Sequence, residues 1–405
     1  METFKSLKHR NFKLFFFGQI ISLPGNWIQS IAMGWLVFRL TDSAFLLGIV
    51  GFASQIPAFF ITPLAGVFAD KLERRKVLLI TQVVSMLMAL FLATLIFSDN
   101  VSVPLIISAA IINGIANAID NPFRHAFLVN MIEDRTDLPN AIALNSTMYN
   151  SARFIGPPIG GFLVAYAGEG VCFLVNGLSY IAVIASLLSM RLVNQERKID
   201  DSSVFTELIG GFKYAWNTNH LKVLLILVII VSLLGLPFQV FLPVFAKVIL
   251  RGDSQTLGIL TGALGAGALT GALMLANKAS IKRFPNLIFV TGLLFAIGLG
   301  TFTVSENLFI SLPAIMITGF GMVTLFAACN TLLQTMVREN MRGRIVALYS
   351  MSFMGFTPIG SILMGSITEI AGLQPTLLVA SILCLLISVW YYKHLPDIRD
   401  ALAKY

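Results

Sequence analysis

The chain has 405 residues, of which 57% are hydrophobic and 12% charged, and 28 Lys and Arg against 20 Asp and Glu give it a formal net charge of +8. So large an apolar share excludes an ordinary soluble domain and points to a membrane-spanning chain. The basic balance does not point to nucleic acid, because the cations sit in short loops with no separable basic module, and anionic lipid is the simpler partner.

Runs of roughly 20 apolar residues cross a hydrocarbon core as helices. Twelve are expected, over about 12–39, 43–68, 77–97, 103–124, 139–167, 170–191, 221–246, 256–277, 286–304, 308–336, 344–370 and 374–392. The first follows a basic stretch, Met1 to Arg10, but is too long for a cleaved signal and is expected to remain as a helix. All Lys and Arg except Arg39, Arg153, Lys247 and Arg251 lie toward the face that carries the N-terminus. The positive-inside rule then places both termini in the cytoplasm.

The longest polar connection, about 193–220, divides the spans six and six. The expected organisation is a bundle over 1–192, a cytoplasmic linker over 193–220 and a second bundle over 221–405. In the linker, Val204, Leu208, Phe212 and Trp216 recur at a spacing of four, the stripe of a helix lying on the membrane surface or docking a partner. A shift of 204 residues, 143 to 347, places Ala143-Leu144 on Ala347-Leu348, Ser146 on Ser350, Gly156 on Gly360, Gly161 on Gly365 and Ala167-Gly168 on Ala371-Gly372. These matches at half-chain spacing predict an internal duplication.

Enzyme chemistry has little to work with. Cys172, Cys329 and Cys384 stand far apart in apolar runs, and His9, His125, His220 and His394 form no ligand spacing, so neither a metal nor a cofactor is implied. A nucleophile elbow and a phosphate-binding glycine loop are both missing from the sequence.

Ionisable and amide groups inside the spans are the functional candidates, because they are costly in lipid and tend to line cavities. Arg153 falls past the middle of the fifth span, either to meet an anionic substrate group or to tie polar neighbours together. Asn26, Gln29, Asn113, Asn117, Asn145, Asn150, Gln239 and Asn330 are amides on other spans, equally able to bind substrate or to join helices. Asp120 is the one acid inside an apolar run, with Asp42 and Glu369 at span ends. Gly258-x-x-x-Gly262 and Gly267-x-x-x-Gly271 read as a helix-packing face.

Between the second and third spans lies a charged loop, Gly66 to Lys76. Its pattern Gly66-x-x-x-Asp70-Lys71-x-x-Arg74-Arg75 resembles the signature of the major facilitator superfamily, with Glu73 where that signature has a second Gly. Leu7-Lys8-His9-Arg10-Asn11-Phe12, Asp120-Asn121-Pro122-Phe123-Arg124, Gly156-Pro157-Pro158-Ile159-Gly160-Gly161 and Arg342-Gly343-Arg344 resemble its drug and siderophore exporter branch, and together they spread over nearly the whole chain.

The resemblance implies an all-α membrane protein with twelve transmembrane helices in two six-helix pseudo-symmetric bundles, the major facilitator fold. It implies a monomeric secondary transporter of the bacterial inner membrane, exporting a siderophore or hydrophobic drug by alternating access with proton antiport, its partners being the small-molecule substrate, protons and membrane lipids. A lipid translocator, an uncoupled facilitator and a non-transporting scaffold are the rivals. Substrate would meet Arg153, Asn26, Gln29, Asn117, Asn150, Gln239 and Asn330. Gating would fall to Gly66, Asp70, Arg74, Asp120 and Arg124, with Asp70 capping the eleventh span near Arg344, Arg74 pairing with Asp120, and Asp120 carrying the proton. Solvated loop cations obeying only the positive-inside rule are the plainer reading of that loop. The Gly156–Gly161 cluster resembles an antiporter motif and equally permits close helix packing.

Overall fold

The computed structural model describes residues 2–191, 204–276 and 281–403, which are almost entirely helical, with no strand among them. A 3-10 segment, Glu2–Lys8, leads into α1 (Arg10–Thr41), α2 (Ala44–Lys71), α3 (Arg74–Phe97), α4 (Val103–Asn130), α5 (Leu138–Ala167) and α6 (Glu169–Ser189). After α7 (Val204–Asn217) come α8 (Asn219–Ile249), α9 (Ser254–Ala276), α10 (Phe284–Val304), α11 (Leu308–Thr335), α12 (Glu339–Ala371), α13 (Leu373–Lys393) and the short α14 (Leu395–Leu402).

Ten of these helices, α2 to α4, α6 and α8 to α13, are long and apolar enough to cross a membrane. The other two expected spans are α1 and α5, helices of 32 and 30 residues. They are long enough to cross but hold half of the polar residues singled out inside the spans, Asn26, Gln29, Asn145, Asn150 and Arg153. Residues 192–203 of the expected linker lie outside the described residues, as do the side chains of Val204 and Leu208. Its helix is present as α7, on which Phe212 and Trp216 stack at 5.6 Å and are exposed.

The seventh span is not the uniform helix expected over 221–246. In α8 the hydrogen-bond pattern is α to Ile230, π over Val231–Gly235, 3-10 over Leu236–Phe241, α over Leu242–Val244 and π over Phe245–Ile249. Pro237 and Pro243 explain the change, since each lacks an N–H and forces the ladder around it to re-register.

The described residues pack as two compact units, one from 1–40, 53–201 and 253–259, the other from 41–52, 202–252 and 260–405. In the first, a buried apolar cluster that includes Phe12, Phe15, Leu78, Phe123, Leu144 and Val183 joins α1, α3, α4, α5 and α6. In the second, the glycine face predicted on α9 packs on α11, where a Cβ at Gly267 would collide with the Met316 carbonyl and one at Gly271 with Thr324 Oγ1. Lipid offers these helices no hydrophobic incentive to associate, so such backbone approach supplies the packing.

The duplication is visible in the backbone. Gly168 joins α5 to α6 at φ 80° and ψ 167°, and Gly372 joins α12 to α13 at φ 84° and ψ 161°. The helices that follow, α6 and α13, are both 21 residues long. A side chain in this extended positive-φ region, which is essentially glycine's alone, costs about 1–3 kcal/mol, so Gly168→Ala and Gly372→Ala are each expected to lower the thermal unfolding midpoint in detergent. Gly66→Ala is the control, because Gly66 is helical at ordinary φ and an added Cβ there meets nothing within 4 Å. Midpoints for the two loop variants equal to that of Gly66→Ala would contradict this reading.

Candidate functional site

The charged loop does its visible work at helix ends. Helices leave their last carbonyls without partners, and a cation there also meets the negative end of the dipole. Arg74 Nε donates to the Ala69 carbonyl of α2 at 2.8 Å, while its Nη1 donates to the Ala126 carbonyl of α4 at 3.0 Å and to Asn130 Oδ1 at 2.6 Å. Arg75 Nη2 donates to the Leu188 carbonyl of α6 at 2.7 Å. Lys76 pairs with Glu73 at 2.7 Å. One short loop thereby ties together the ends of α2, α4 and α6. The Asp70 side chain lies outside the described residues.

Asp120 is 4% exposed, one and a half turns up α4 from the carbonyl that Arg74 holds. Its Oδ1 accepts from Thr81 Oγ1 at 2.9 Å and Gln82 Nε2 at 2.8 Å, and its Oδ2 faces Arg124 Nη1 at 3.4 Å. The expected Arg74–Asp120 pair is not formed, because Arg124, on the same helix face four residues on, is nearer and takes that role. Arg124 also donates to Asn121 Oδ1 at 2.8 Å and lies over the Tyr149 ring at 4.8 Å. Gln19, Gln82, Asp120 and Arg124, with apolar neighbours such as Phe15 and Leu78, enclose a cavity of about 10 Å³. That is room for about one water and none for an organic solute.

Arg153 is half-buried, midway along α5, and its guanidinium lies over the Trp27 ring of α1 at 5.6 Å. α5 can approach α1 so closely because Gly156 abuts Trp27 Cβ. Asn26 and Gln29 turn instead to α6. Asn26 Oδ1 accepts from Tyr180 Oη at 2.7 Å and Asn176 Nδ2 at 3.4 Å, and Gln29 Oε1 accepts from Asn176 Nδ2 at 2.6 Å. Asn150 donates to the Ser146 carbonyl one turn back, and Asn117 is exposed on α4. In the other unit, Gln239 of α8 donates to Met322 Sδ at 3.5 Å, and Asn330 of α11 accepts from Gln334 at 3.0 Å. Asn113 Oδ1, Asn145 Oδ1 and the Tyr149 hydroxyl are buried with no hydrogen-bond partner among the described residues.

Trp27, Thr81, Gln82, Tyr149, Asn176 and Tyr180 were not singled out from sequence. Thr81, Gln82 and Asn176 interrupt apolar runs and carry the same polar signal as the amides that were. Trp27 and Tyr149 look like ordinary span residues, and only their positions beside Arg153 and Arg124 give them a role.

Several charges at the helix ends and in the connections are also matched. On the unit of α1, Arg39 makes a two-pronged pair with Glu169 at 2.6 and 3.3 Å, and on the other unit Lys247 meets Asp42 at 2.7 Å. Before α5, buried Asp137 receives Lys5 at 3.0 Å, Lys8 at 2.6 Å and His9 at 3.0 Å, and these hydrogen bonds, Lys8 first, hold its carboxyl well below the usual carboxylate range. The Thr136 backbone N–H and hydroxyl lower Asp134 in the same way.

Removing one partner of a buried ion pair costs about 3–5 kcal/mol, because the other is left desolvated and alone. Asp120→Ala is therefore expected to lower stability by about that much, and Asp120→Ala with Arg124→Ala by less than the sum of the single changes. Thermal unfolding of the four proteins in detergent gives the coupling. Simple additivity would mean that the pair is not an energetic unit.

Comparison with known proteins bears on this geometry. The family model described as "Transmembrane secretion effector" matches residues 1–403. The chain is 27% identical over 382 residues to the staphyloferrin A transporter of Staphylococcus aureus, covering 94% of this chain and 95% of that protein. It is 27% identical over 398 residues to the multidrug efflux pump Tap of Mycolicibacterium fortuitum, covering 96% of each. Among solved structures, a bacterial homologue of the human lysosomal transporter Spinster superposes with a TM-score of 0.72 at 13% identity, covering 97% of this chain and 98% of that one. That superposition confirms the major facilitator fold expected of a twelve-helix, two-bundle chain. The chain is a multi-pass secondary transporter, not an enzyme, and belongs to the transmembrane secretion effector family of the major facilitator superfamily.

Proposed function

We propose that the chain exports a small amphipathic molecule, a siderophore or a hydrophobic drug, across the bacterial inner membrane by alternating access driven by proton antiport. In this reading the protein works as a monomer among membrane lipids, with both termini cytoplasmic and its six-helix halves at 1–192 and 221–405 joined by the 193–220 linker. The name of one near-full-length relative, a multidrug efflux pump, supports export, and that of the other, a staphyloferrin A transporter, supports a siderophore as the cargo. The observation that carries proton coupling is Asp120. It is a buried acid on a membrane-spanning helix, its Oδ1 accepting two hydrogen bonds and its Oδ2 facing Arg124, beside a cavity of one-water size. Embedded carboxylates of this kind serve as proton relays in transporters. The cavity admits a proton on water and excludes the substrate, so the two travel by different sites. Gly66, Asp70, Arg74 and Arg124 are the gating residues of this reading, around the loop that ties α2, α4 and α6.

One observation favours a second reading, a lipid translocator. Pro158, Ile159, Phe162, Leu163 and Tyr166 line an open apolar groove on α5 of the kind an acyl chain would follow.

Purified protein in liposomes separates the readings. Efflux of a siderophore, a hydrophobic dye and a lysophospholipid is measured with and without an imposed pH gradient. The proposal expects siderophore or dye efflux that the gradient accelerates, and loss of that acceleration by about tenfold or more in Asp120→Asn. Gradient-independent efflux would establish a facilitator, and movement of lysophospholipid alone would establish the lipid reading.

A further inference from the structure

Two arginines lie inside the spans of the first unit, and the protein treats them differently. Arg124 has Asp120, Asn121 and the Tyr149 ring around it. Arg153 has the Trp27 ring and, among the described residues, neither a hydrogen bond nor an acid. It lies 15 residues past Leu138 and 14 before Ala167, so about 21 Å of helix separates it from either end. No arginine side chain reaches water along the helix from that depth by snorkelling.

Nor does Arg153 belong to the exposed apolar stripe of α5. Ile155, Ile159, Phe162 and Tyr166 are exposed and recur at helical spacing, forming one apolar stripe. Tyr149, Arg153, Gly156 and Gly160 recur on the opposite side, where Gly156 and Gly160 touch Trp27 and Ile28 of α1. One turn before Arg153, the Tyr149 hydroxyl is buried without a partner, and Asn145 Oδ1 is likewise unpartnered two turns before it. A guanidinium with five donors, held over an aromatic face and lacking an acid, is a site for something the chain does not supply.

We infer that Arg153 is the anion-binding residue of the transport site and that the exported molecule is an amphipathic oxyanion. Its carboxylate or equivalent group docks on the guanidinium fork, with the unpartnered Tyr149 hydroxyl one turn back on the same helix. Trp27 fixes the plane of that fork from below through cation–π contact, so the residue is oriented before the ligand arrives. A cationic drug would be repelled at the same point. This deepens the export reading and rests on it for the direction of movement, but binding at Arg153 stands or falls separately.

The test uses two probes with one ring system and opposite charge, 1-pyrenebutyrate and 1-pyrenebutylamine. Binding to purified protein in detergent is read by energy transfer from tryptophan to pyrene, and transport by efflux from liposomes holding the same protein. The inference expects pyrenebutyrate to bind at least about tenfold more tightly than the amine, a loss of about tenfold or more in Arg153→Gln, and partial retention in Arg153→Lys, which keeps the charge without the fork. All three proteins are required to elute as the same monodisperse species, and Arg153→Lys shows that position 153 tolerates change. Equal binding of the two probes, or unchanged pyrenebutyrate affinity in Arg153→Gln, overturns the inference. Arg153-dependent binding without movement of either probe leaves the anion site in place and counts against export.

Discussion

A charge placed inside a bilayer must find its complement within the protein, from a ligand or from water drawn into the fold, and the first unit is organised around that demand. Asp120 and Arg124 answer it together. They are close to each other on one helix face, with Thr81 and Gln82 of α3 satisfying the carboxylate and Tyr149 of α5 covering the guanidinium. Three helices are held at their polar residues by this one cluster, in a setting where apolar surface alone gives them no reason to associate. Arg153 answers only in part, through Trp27, and the anion proposed above would meet the remainder.

The same accounting explains the loop at the ends of α2, α4 and α6. Lipid cannot satisfy a terminal carbonyl, and Arg74 and Arg75 reach the carbonyls of Ala69, Ala126 and Leu188 from one connection. Two adjacent residues thus tether three helix ends to one another. A rigid unit is what a transporter needs if its binding residues are to keep their geometry while larger parts of the molecule move. Gly66 sits where an added Cβ would meet nothing, so local packing gives no reason for glycine there.

The helices were legible because an apolar run long enough to span lipid is a local property. Ten appear by length and hydropathy, and α1 and α5, which carry more polar residues, are helices of 32 and 30 residues where spans were expected. The duplication was legible too, down to Gly168 and Gly372, because a positive φ at a helix junction leaves a glycine at the same place in each half. Partnerships were not. Asn26 and Gln29 read as able either to bind substrate or to join helices, and Asn176 and Tyr180 of α6 are the groups they bond, a choice made by which helix lies alongside. Arg74 read as the partner of Asp120, and it reaches the Ala69 and Ala126 carbonyls, because backbone acceptors carry no sequence signal. The irregular course of α8 was foreshadowed by Pro237 and Pro243, but not which hydrogen-bond pattern would replace the α-helix.

The central claim is that the middle of α5 holds a cation open to an aqueous solute rather than to lipid. Its most direct measurement is the reactivity of Arg153→Cys in intact membranes toward a sulfonated, membrane-impermeant thiol reagent, set against a membrane-soluble maleimide. The background is low, since Cys172, Cys329 and Cys384 are all buried. The account predicts labelling by the sulfonated reagent well above that of the parent protein. Labelling by the maleimide alone would place position 153 against lipid and contradict it.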